Sequence, residues 1–395
     1  MAIAPPEGVP RLAPPVRPEV EGLQAYSAPL EGRRGLLRLD FNENTLGPSP
    51  KVVEAIRAIP AEHYAIYPEY DGLREAVLAS LGSSGLHLHP TQIGLFNGVD
   101  GALHAIFHAY GRPGDRLLTT APTFGYYAPC ARMQGMTIEA IPYRLPCFGF
   151  PLQEIQAALA ASGGQGPPAA PRLLVICNPN NPTGTRLAPA RILELAASAP
   201  GTLVVVDELY EAFSGDSVLP LLEEKAAAPG SSEAFSHHPN LLVLRSLSKT
   251  AGLAGLRMGF AIGHPEVVER LSRVGGPYDV NSFAVIAATA ALADQPYVDA
   301  YVEAVIEAKE WLAAELARSG VRHHVDGGNY LLIWPDMPVE EMDRRLRQAG
   351  ILVRSMAGKP LIDGSLRVSI GTRAQMERFW TTFQAIAASA NPPQR

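Results

Sequence analysis

Runs of consecutive apolar and β-branched residues alternate with amphipathic segments over the first 280 residues of the chain. Six runs predict short buried strands, at 116–120, 135–143, 172–177, 202–207, 241–246 and 257–263. Between them, apolar residues at helical spacing predict helices such as 99–110 and 152–161. Continuously apolar strands that alternate with helices are typical of parallel sheets covered on both faces. This part is therefore predicted to be an α/β unit with a mainly parallel sheet.

The pattern changes near residue 280, after which helical segments dominate. A long helical pattern is followed by shorter strand and helix patterns, at 296–320, 330–334, 339–349, 351–354, 366–370 and from about 373. These predict a smaller α+β domain. The expected division is an N-terminal arm of residues 1–40 that packs with the small domain, a large domain of 41–280 and a small domain of 281–395.

Glycine and proline mark the expected irregular segments. Residues 1–35 carry many prolines and little periodicity, which predicts an extended arm. Segments 163–171 and 226–233 are rich in glycine, proline or serine and are predicted to be surface loops.

Composition and charge argue against several classes of function. The 395-residue chain is 47% hydrophobic with a formal net charge of −6, so nonspecific binding to nucleic acid or to an anionic membrane is not expected. Cys130, Cys147 and Cys177 lack the spacing of metal ligands, and we expect no metal site and a reduced, cytoplasmic setting. No apolar stretch reaches the roughly 18 residues that span a bilayer, and the N-terminus lacks a signal-peptide pattern.

Lys249, in the run SLSKTAGLAGLRMGF, has neighbours suited to a reactive amine. Ser246 and Ser248 precede it and Arg257 follows, so hydroxyl and guanidinium donors for a phosphate lie close in sequence. A semi-buried lysine near cations has a lowered pKa and can act as a nucleophile. A solvated surface lysine, the ordinary alternative, would not need this spacing.

Asp207 ends the strand pattern of VVVDELY, and Tyr210 follows it. Ligands of open α/β sheets lie at the carboxyl edge of the strands, so both side chains are expected there. Asp207 alone could simply cap the next turn. Combined with Lys249 and its phosphate donors, however, these residues are what a protein needs to hold pyridoxal phosphate as a Schiff base. Asp207 would pair with the pyridine nitrogen, and Tyr210 would contact the ring hydroxyl.

Three further motifs add candidate cofactor contacts. Gly98, Val99 and Asp100 precede an amphipathic helix whose free amides could bind a phosphate, although such turns are often only caps. Phe124, in APTFGYY, is suited to stacking on a flat ring, with a core aromatic as the alternative. Asn181, in NPNNPTGT, follows a predicted strand and could hydrogen-bond the ring hydroxyl.

Candidate substrate contacts lie in the second domain. Arg354 follows a strand pattern and Arg367 lies within one. Arginine suits bidentate recognition of a carboxylate or phosphate, and a surface salt bridge is the alternative for either one. Asn329, in GGNYLLIW, could add a polar contact.

Together these motifs resemble the fold-type I pyridoxal-phosphate aminotransferases of class I/II, and within that class they are most similar to the histidinol-phosphate aminotransferases. The likeness runs in family order from LDFNENTLGPSP (39–50) to SLRVSIGT (365–372). It implies a large domain with a mainly parallel sheet of the seven-stranded type and a smaller α+β domain. It also implies the cofactor roles given above, with Arg354 and Arg367 on the anionic end of the substrate.

The resemblance further implies a homodimer with shared active sites. Tyr67, in YPEYDGLREAV, matches a tyrosine that reaches the cofactor phosphate of the neighbouring subunit. Three positions depart from the family pattern: Leu46 replaces a substrate-contacting tyrosine, Gly101 replaces a glutamate, and Leu209 stands in DELY where DEAY is usual. The more apolar Leu46 would also tolerate an aromatic amino acid.

The implied activity is a ping-pong transamination of histidinol phosphate with 2-oxoglutarate through aldimine and ketimine intermediates. The alternatives are transamination of phenylalanine or tyrosine, and decarboxylation of the threonine-phosphate type. A transcription regulator built on this fold would need a DNA-binding domain, and the residues before Asp40 are too few and too rich in proline for one. A nicotinamide dehydrogenase would need a GxGxxG run after a strand.

Overall fold

The computed structural model describes residues 14–25, 31–83, 85–160, 170–223 and 232–390. The helices are α1 (Pro18–Glu21), α2 (Pro50–Arg57), α3 (Asp71–Ser83), α4 (Gly98–Tyr110), α5 (Tyr127–Met133), α6 (Leu152–Ala160), α7 (Pro189–Ser198), α8 (Leu219–Glu223), α9 (Pro265–Ser272), α10 (Ser282–Leu292), α11 (Gln295–Arg318), α12 (Val339–Gln348) and α13 (Arg373–Ala390). The strands are β1 (Leu37–Arg38), β2 (Ile93–Asn97), β3 (Arg116–Ala121), β4 (Thr137–Pro142), β5 (Leu173–Cys177), β6 (Leu203–Asp207), β7 (Leu241–Ser246), β8 (Met258–Gly263), β9 (Arg322–His324), β10 (Tyr330–Trp334), β11 (Ile351–Leu352), β12 (Arg354–Ser355) and β13 (Leu366–Ser369).

A seven-stranded sheet forms the centre of the molecule, in the order β2-β8-β7-β6-β5-β3-β4. All neighbours pair in parallel except β8, which is antiparallel to both β7 and β2. The predicted α/β fold with a mainly parallel sheet is therefore confirmed. The sequence pattern missed β2, where Gly94 interrupts a short apolar run and weakens the strand signal.

The central strands are apolar over most of their length because both faces of the sheet are covered. Along β5, β6 and β7, alternate side chains enter two different cores, since successive residues of a strand point to opposite faces. One core contains Leu174, Ile176, Val204, Val206, Leu241 and Val243. The other contains Leu173, Val175, Leu203, Val205, Leu242 and Leu244.

The C-terminal part forms a second, antiparallel sheet in the order β12-β13-β10-β9. Helix α11 covers it with residues at helical spacing, including Tyr301, Val305, Ala308 and Leu312. One prediction was wrong here, because residues 351–354 do not form a single strand. The chain changes sheets at Val353: β11 pairs in parallel with β1, whereas β12 pairs with β13.

The described pieces of the N-terminal arm lie against different parts of the molecule. Helix α1 interrupts the predicted extended segment and contacts α5 beside the large sheet, whereas β1 pairs with β11. Helix α10 packs on α2 and α3, and Ala284 belongs to the core of the large sheet. We therefore propose that the large domain ends after α10 rather than at residue 280.

The two predicted loops, 163–171 and 226–233, lie largely outside the described residues. Ser232–Phe235, at the end of the second loop, forms a 3₁₀ helix. Among the described helices, none combines the length and the apolar character needed to cross a membrane.

Candidate active site

The predicted cofactor residues gather at one edge of the large sheet. Parallel strands end at a common edge, and an antiparallel strand begins there. Consequently the residue before β8 lies beside the residues that follow β2, β3, β5, β6 and β7. The residues brought to this edge are Gly98, Phe124, Asn181, Asp207, Ser246 and Arg257.

Asp207, the last residue of β6, is buried and held from both sides of its carboxylate. Tyr127 Oη donates to Oδ2 at 2.6 Å, and the amide of Leu209 donates to Oδ1 at 3.2 Å. Burial raises the pKa of Asp207 to about 6, and these hydrogen bonds partly oppose that rise. The carboxylate is therefore ionised at neutral pH and suited to hold a protonated ring nitrogen.

Lys249 lies half-buried beyond the end of β7. Its Nζ donates to the carbonyl oxygen of Phe41 at 2.8 Å. Burial, followed by the charge of Arg367, lowers the pKa of Lys249 to about 8. A substantial fraction of neutral amine is consequently present near physiological pH, as a carbonyl-reactive lysine requires.

An anion-binding cup lies between the start of α4 and the segment after β7. Arg257 adopts a left-handed conformation with φ 59°, which turns its guanidinium toward Gly98. Gly98 has φ 73°, a backbone conformation that favours glycine, and a Cβ there would lie only 2.6 Å from Arg257 Nη2. Ser246 Oγ lies 2.9 Å from Ser248 Oγ, which adds two hydroxyls. Arg257 also pairs with Asp100 at 2.6 Å.

Tyr210 connects the cofactor side of the site with the second domain. Its hydroxyl accepts hydrogen bonds from Asn42 Nδ2 at 3.0 Å and from Asn181 Nδ2 at 3.3 Å. Asn181 Oδ1 in turn accepts a 2.6 Å bond from Arg367 Nη1. Burial raises the pKa of Tyr210, with the charge of Arg367 opposing it, so the phenol is neutral.

The other predicted substrate contacts surround the same network. Arg354 pairs in register with Arg367 across β12 and β13, and its guanidinium lies 5.6 Å from the ring centre of Phe41. Asn329 Nδ2 donates to the carbonyl oxygen of Asn42 at 3.1 Å. Asn329 is fully buried, so this residue supports the loop around Asn42 rather than facing an open cavity.

Two predicted residues lie at the margin of this network. Phe124 packs edge-on against Tyr127 at 5.5 Å between ring centres and also contacts the core of the sheet. Tyr67 is 71% exposed and stacks on Tyr278 with 4.0 Å between ring centres.

Sequence reasoning missed three residues that organise the site. As described above, Tyr127 donates a hydrogen bond to Asp207, and Asn42 donates one to Tyr210. Asn180 bonds the carbonyl of Pro122 at 3.0 Å, which joins the NPNNPTG loop to the segment that carries Phe124. The second tyrosine of GYY and the repeated asparagines of the NEN and NPNN runs were visible signals, but nothing in them indicated their partners.

The arrangement fits pyridoxal phosphate. Lys249 offers a neutral amine to an aldehyde, Asp207 offers a buried carboxylate to a pyridinium nitrogen, and Asn181 and Tyr210 offer polar groups to a ring hydroxyl. The cup formed by Ser246, Ser248, Arg257 and the amides at the start of α4 suits a phosphate, because helix N-termini and guanidinium groups both favour anions.

Comparison with known proteins identifies the family. The sequence profile of aminotransferase class I and II matches residues 34–383. The histidinol-phosphate aminotransferase of Roseiflexus castenholzii is 34% identical, over 94% of this chain and 98% of the relative. That of Moorella thermoacetica is 32% identical, over 94% and 91%.

A solved structure shows the same fold. The histidinol-phosphate aminotransferase of Sinorhizobium meliloti, solved in complex with pyridoxal-5'-phosphate, superposes with a TM-score of 0.81 at 23% identity, covering 95% of this chain and 98% of the other. The profile match and the two relatives extend over almost the whole described chain. The chain therefore belongs to the class I and II aminotransferase family.

Proposed function

We propose that the protein is a pyridoxal-phosphate-dependent aminotransferase that moves the amino group of histidinol phosphate to 2-oxoglutarate. The observation that carries this proposal is the meeting of Lys249, Asp207 and the anion cup at one sheet edge. Arg367, the candidate for binding the anionic end of the substrate, donates to Asn181 Oδ1 at 2.6 Å and is thereby linked to Tyr210. Relatives that are 32–34% identical over most of the chain support the choice of substrate.

Each residue of the site has a definable task. Pyridoxal phosphate, when bound, supplies an electron sink for charge that develops on the amine-bearing carbon of the substrate. Lys249 alternates as base and acid at that carbon, for which a pKa of about 8 is well placed. Asp207 keeps the ring nitrogen protonated, and the cup holds the phosphate. Arg367, oriented by Asn181, binds the anionic end of the substrate.

We further propose a homodimer with shared active sites. Exposed apolar residues cluster around Tyr67 and include Tyr64, Ile66 and Tyr278. Tyr67 stacks on Tyr278, and exposed apolar patches of this kind mark surfaces that contact another protein. An aromatic residue held outward in this way supports a contact with the active site of a second copy. All three cysteines are free thiols, which supports the proposed reduced, cytoplasmic setting.

Transamination of phenylalanine or tyrosine is a second candidate, favoured by Leu46. This side chain is 56% exposed and presents an apolar surface where the family pattern has a phenol. An aromatic side chain could pack on it without leaving a polar group unpaired.

A single-turnover assay tests the proposal. The holoenzyme is mixed separately with histidinol phosphate, phenylalanine, tyrosine and aspartate, and loss of the resting cofactor absorbance is followed. Histidinol phosphate should react fastest, and 2-oxoglutarate should restore the original spectrum. A faster reaction with phenylalanine would establish the aromatic alternative. Release of carbon dioxide without any need for a keto acid would identify a decarboxylase instead.

A further inference from the structure

The segment Asp40–Asn44, called here the 40–44 loop, contacts three side chains of the proposed active site. In two of these contacts the acceptor is a main-chain carbonyl, so its position depends on the backbone conformation of the loop. The contacts are Arg367 Nη2 to Asp40 O at 2.6 Å, Lys249 Nζ to Phe41 O at 2.8 Å, and Asn42 Nδ2 to Tyr210 Oη at 3.0 Å. The conformation of this loop therefore sets the positions of an amine, a guanidinium and a phenol.

Arg33 contacts three residues of the 40–44 loop. Its Nε and Nη2 donate to the two carboxylate oxygens of Asp40 at 3.0 and 2.6 Å. Its Nη1 and Nη2 donate to the carboxylate of Glu43 at 3.1 and 2.8 Å. Between these two residues, the guanidinium lies over the ring of Phe41, 4.4 Å from its centre. One side chain thus fixes three of the four residues from 40 to 43.

We infer that Arg33 is a positioning residue, which acts through the 40–44 loop to place the free amine of Lys249 for proton transfer. This inference rests on the proposed function. In transamination the lysine must leave the cofactor and then move a proton at the amine-bearing carbon. While it is free, Phe41 O is the acceptor that the structure provides for its amine. A shift of that carbonyl would misplace the proton-transferring group.

The geometry favours positioning over a purely structural role. A purely structural role, holding the segment around Arg33 against the protein, would need only a salt bridge to one carboxylate. Arg33 instead forms four hydrogen bonds with two carboxylates and stacks on the intervening ring, which is the planar fork geometry that lysine cannot reproduce. The side chain is also nearly inaccessible, at 9% exposure, so solvent weakens these bonds little.

The neighbouring Arg34 offers a matched control, because it is exposed and next in sequence. We would compare Arg33→Met, Arg33→Lys and Arg34→Met in the holoenzyme at saturating cofactor. The primary deuterium isotope effect is measured on kcat, with histidinol phosphate deuterated at its amine-bearing carbon. Arg33→Met should lower kcat by about tenfold or more and increase the isotope effect, since a small misplacement of a reacting group costs that much. Arg33→Lys should not restore the rate.

Arg33→Met leaves two carboxylates without their partner and could fail to fold. The triple variant Arg33→Met/Asp40→Asn/Glu43→Gln removes the buried charges together and keeps the side-chain shapes. It should unfold at a temperature closer to that of wild type than the single variant does. It should nevertheless show the reduced kcat and the larger isotope effect, because the fork that orients Phe41 O is still missing.

A second readout needs no substrate and no cofactor. In the cofactor-free protein, acetylation of Lys249 by acetic anhydride is timed by peptide mass spectrometry. Release from Phe41 O should make this lysine react about fivefold faster in Arg33→Met, the equivalent of one hydrogen bond, and leave it unchanged in Arg34→Met.

Three results would overturn the inference. One is a folded triple variant with wild-type kcat and isotope effect. Another is equal labelling of Lys249 in the Arg33 and Arg34 variants. The third is a loss of rate that disappears at saturating cofactor, since Arg33 would then act on cofactor retention. If the wild type transaminates no donor, the proposed function fails, and the labelling comparison alone decides whether Arg33 positions Lys249.

Discussion

Tyr127 donates a 2.6 Å hydrogen bond to the carboxylate of Asp207 at the buried end of β6. Burial alone would favour the protonated acid, and the phenol is the nearest group that stabilises the ionised form. Tyr127 is buried with 1% of its surface exposed, so water cannot substitute for it. The protonation state of the proposed ring-nitrogen partner therefore depends on a residue that the cofactor need not contact.

Tyr127→Phe should shift the pH dependence of cofactor binding. The pKa of Asp207 is raised to about 6, so the carboxylate loses its charge, and with it the grip on a pyridinium nitrogen, as the pH falls through that value. Without the phenol the midpoint should rise by about one to two pH units, because hydrogen bonds to charged groups contribute roughly 1.5–3 kcal/mol. The midpoint is measured by titrating the cofactor-free enzyme with pyridoxal phosphate at a series of pH values between about 5 and 8 and following the cofactor absorbance.

The control for that experiment is Tyr143→Phe. Tyr143 is also buried, but its hydroxyl bonds to Thr120 Oγ1 at 2.9 Å rather than to Asp207. It should lower stability without moving the binding midpoint. Equal shifts in the two variants would mean that general loosening of the core, and not the bond to Asp207, determines the titration.

Asp207→Asn should stabilise the cofactor-free protein while abolishing transamination. The folded pKa of Asp207 is raised from 3.8 to about 6, so the fold disfavours the ionised form. The resulting cost is absent below about pH 3.8 and fully present above about pH 6, where it reaches up to about 3 kcal/mol. Thermal unfolding at neutral pH should therefore give a higher Tm for the variant. A lower Tm would show that the carboxylate contributes net stability.

Lys249 and Lys309 test whether a lowered pKa is enough to make a lysine reactive toward the cofactor. Burial lowers the pKa of both to about 8. Lys309, however, donates to the carbonyls of Asp326 and Gly328, and none of the described residues that form the anion cup is among these partners. Borohydride reduction after brief incubation with pyridoxal phosphate should label Lys249 and leave Lys309 unmodified. The rate should increase as the pH rises through about 8, because the neutral amine is the nucleophile. Labelling of Lys309 at the same rate would show that the anion cup does not direct the cofactor to Lys249.

The sequence predicted the parts of this site that depend on local pattern. Strands β5, β6 and β7 each contain at least four consecutive apolar residues, so their ends, and with them Asp207 and Ser246, could be placed to within a residue. The division of residues 351–354 between two strands could not be predicted. It depends on pairing with the distant strands β1 and β13 and not on any local preference of the segment.

Contacts between distant residues were beyond the sequence for the same reason. Tyr127 lies 80 positions before Asp207, and Asn42 lies 168 positions before Tyr210. Each of these side chains is unremarkable in its own segment. Arg33 and Arg34 are chemically identical in the sequence, yet Arg33 is buried and Arg34 is exposed, because the fold turns one side chain inward and the other outward just before β1.

Leu46→Tyr should shift substrate preference toward histidinol phosphate. Leu46 lies in a turn in which its amide donates to Asn44 Oδ1 at 2.8 Å, so a larger side chain should not displace the backbone. A phenol there would add one polar contact, and kcat/KM for histidinol phosphate relative to phenylalanine should rise by about fivefold to tenfold. Leu46→Phe, which adds the ring without the hydroxyl, is the control. An equal gain in both variants would assign the effect to ring packing.

Tyr67 offers a direct test of a shared active site. Lys249→Ala and Tyr67→Ala should each be nearly inactive, because one lacks the reactive amine and the other lacks the proposed contact with the cofactor phosphate of its neighbour. If the sites are shared in a two-fold dimer, a mixed dimer contains one site with both defects and one intact site. Random re-association of equal amounts should therefore recover about a quarter of the wild-type activity. Tyr64→Ala, which alters a neighbouring exposed aromatic, should be active by itself because its sites keep both Lys249 and Tyr67. Mixing it with Lys249→Ala should therefore give only the average of the two separate activities. If the mixture of the two inactive variants stays inactive although light scattering shows mixed dimers, each subunit must build its site alone, and Tyr67 serves only the interface.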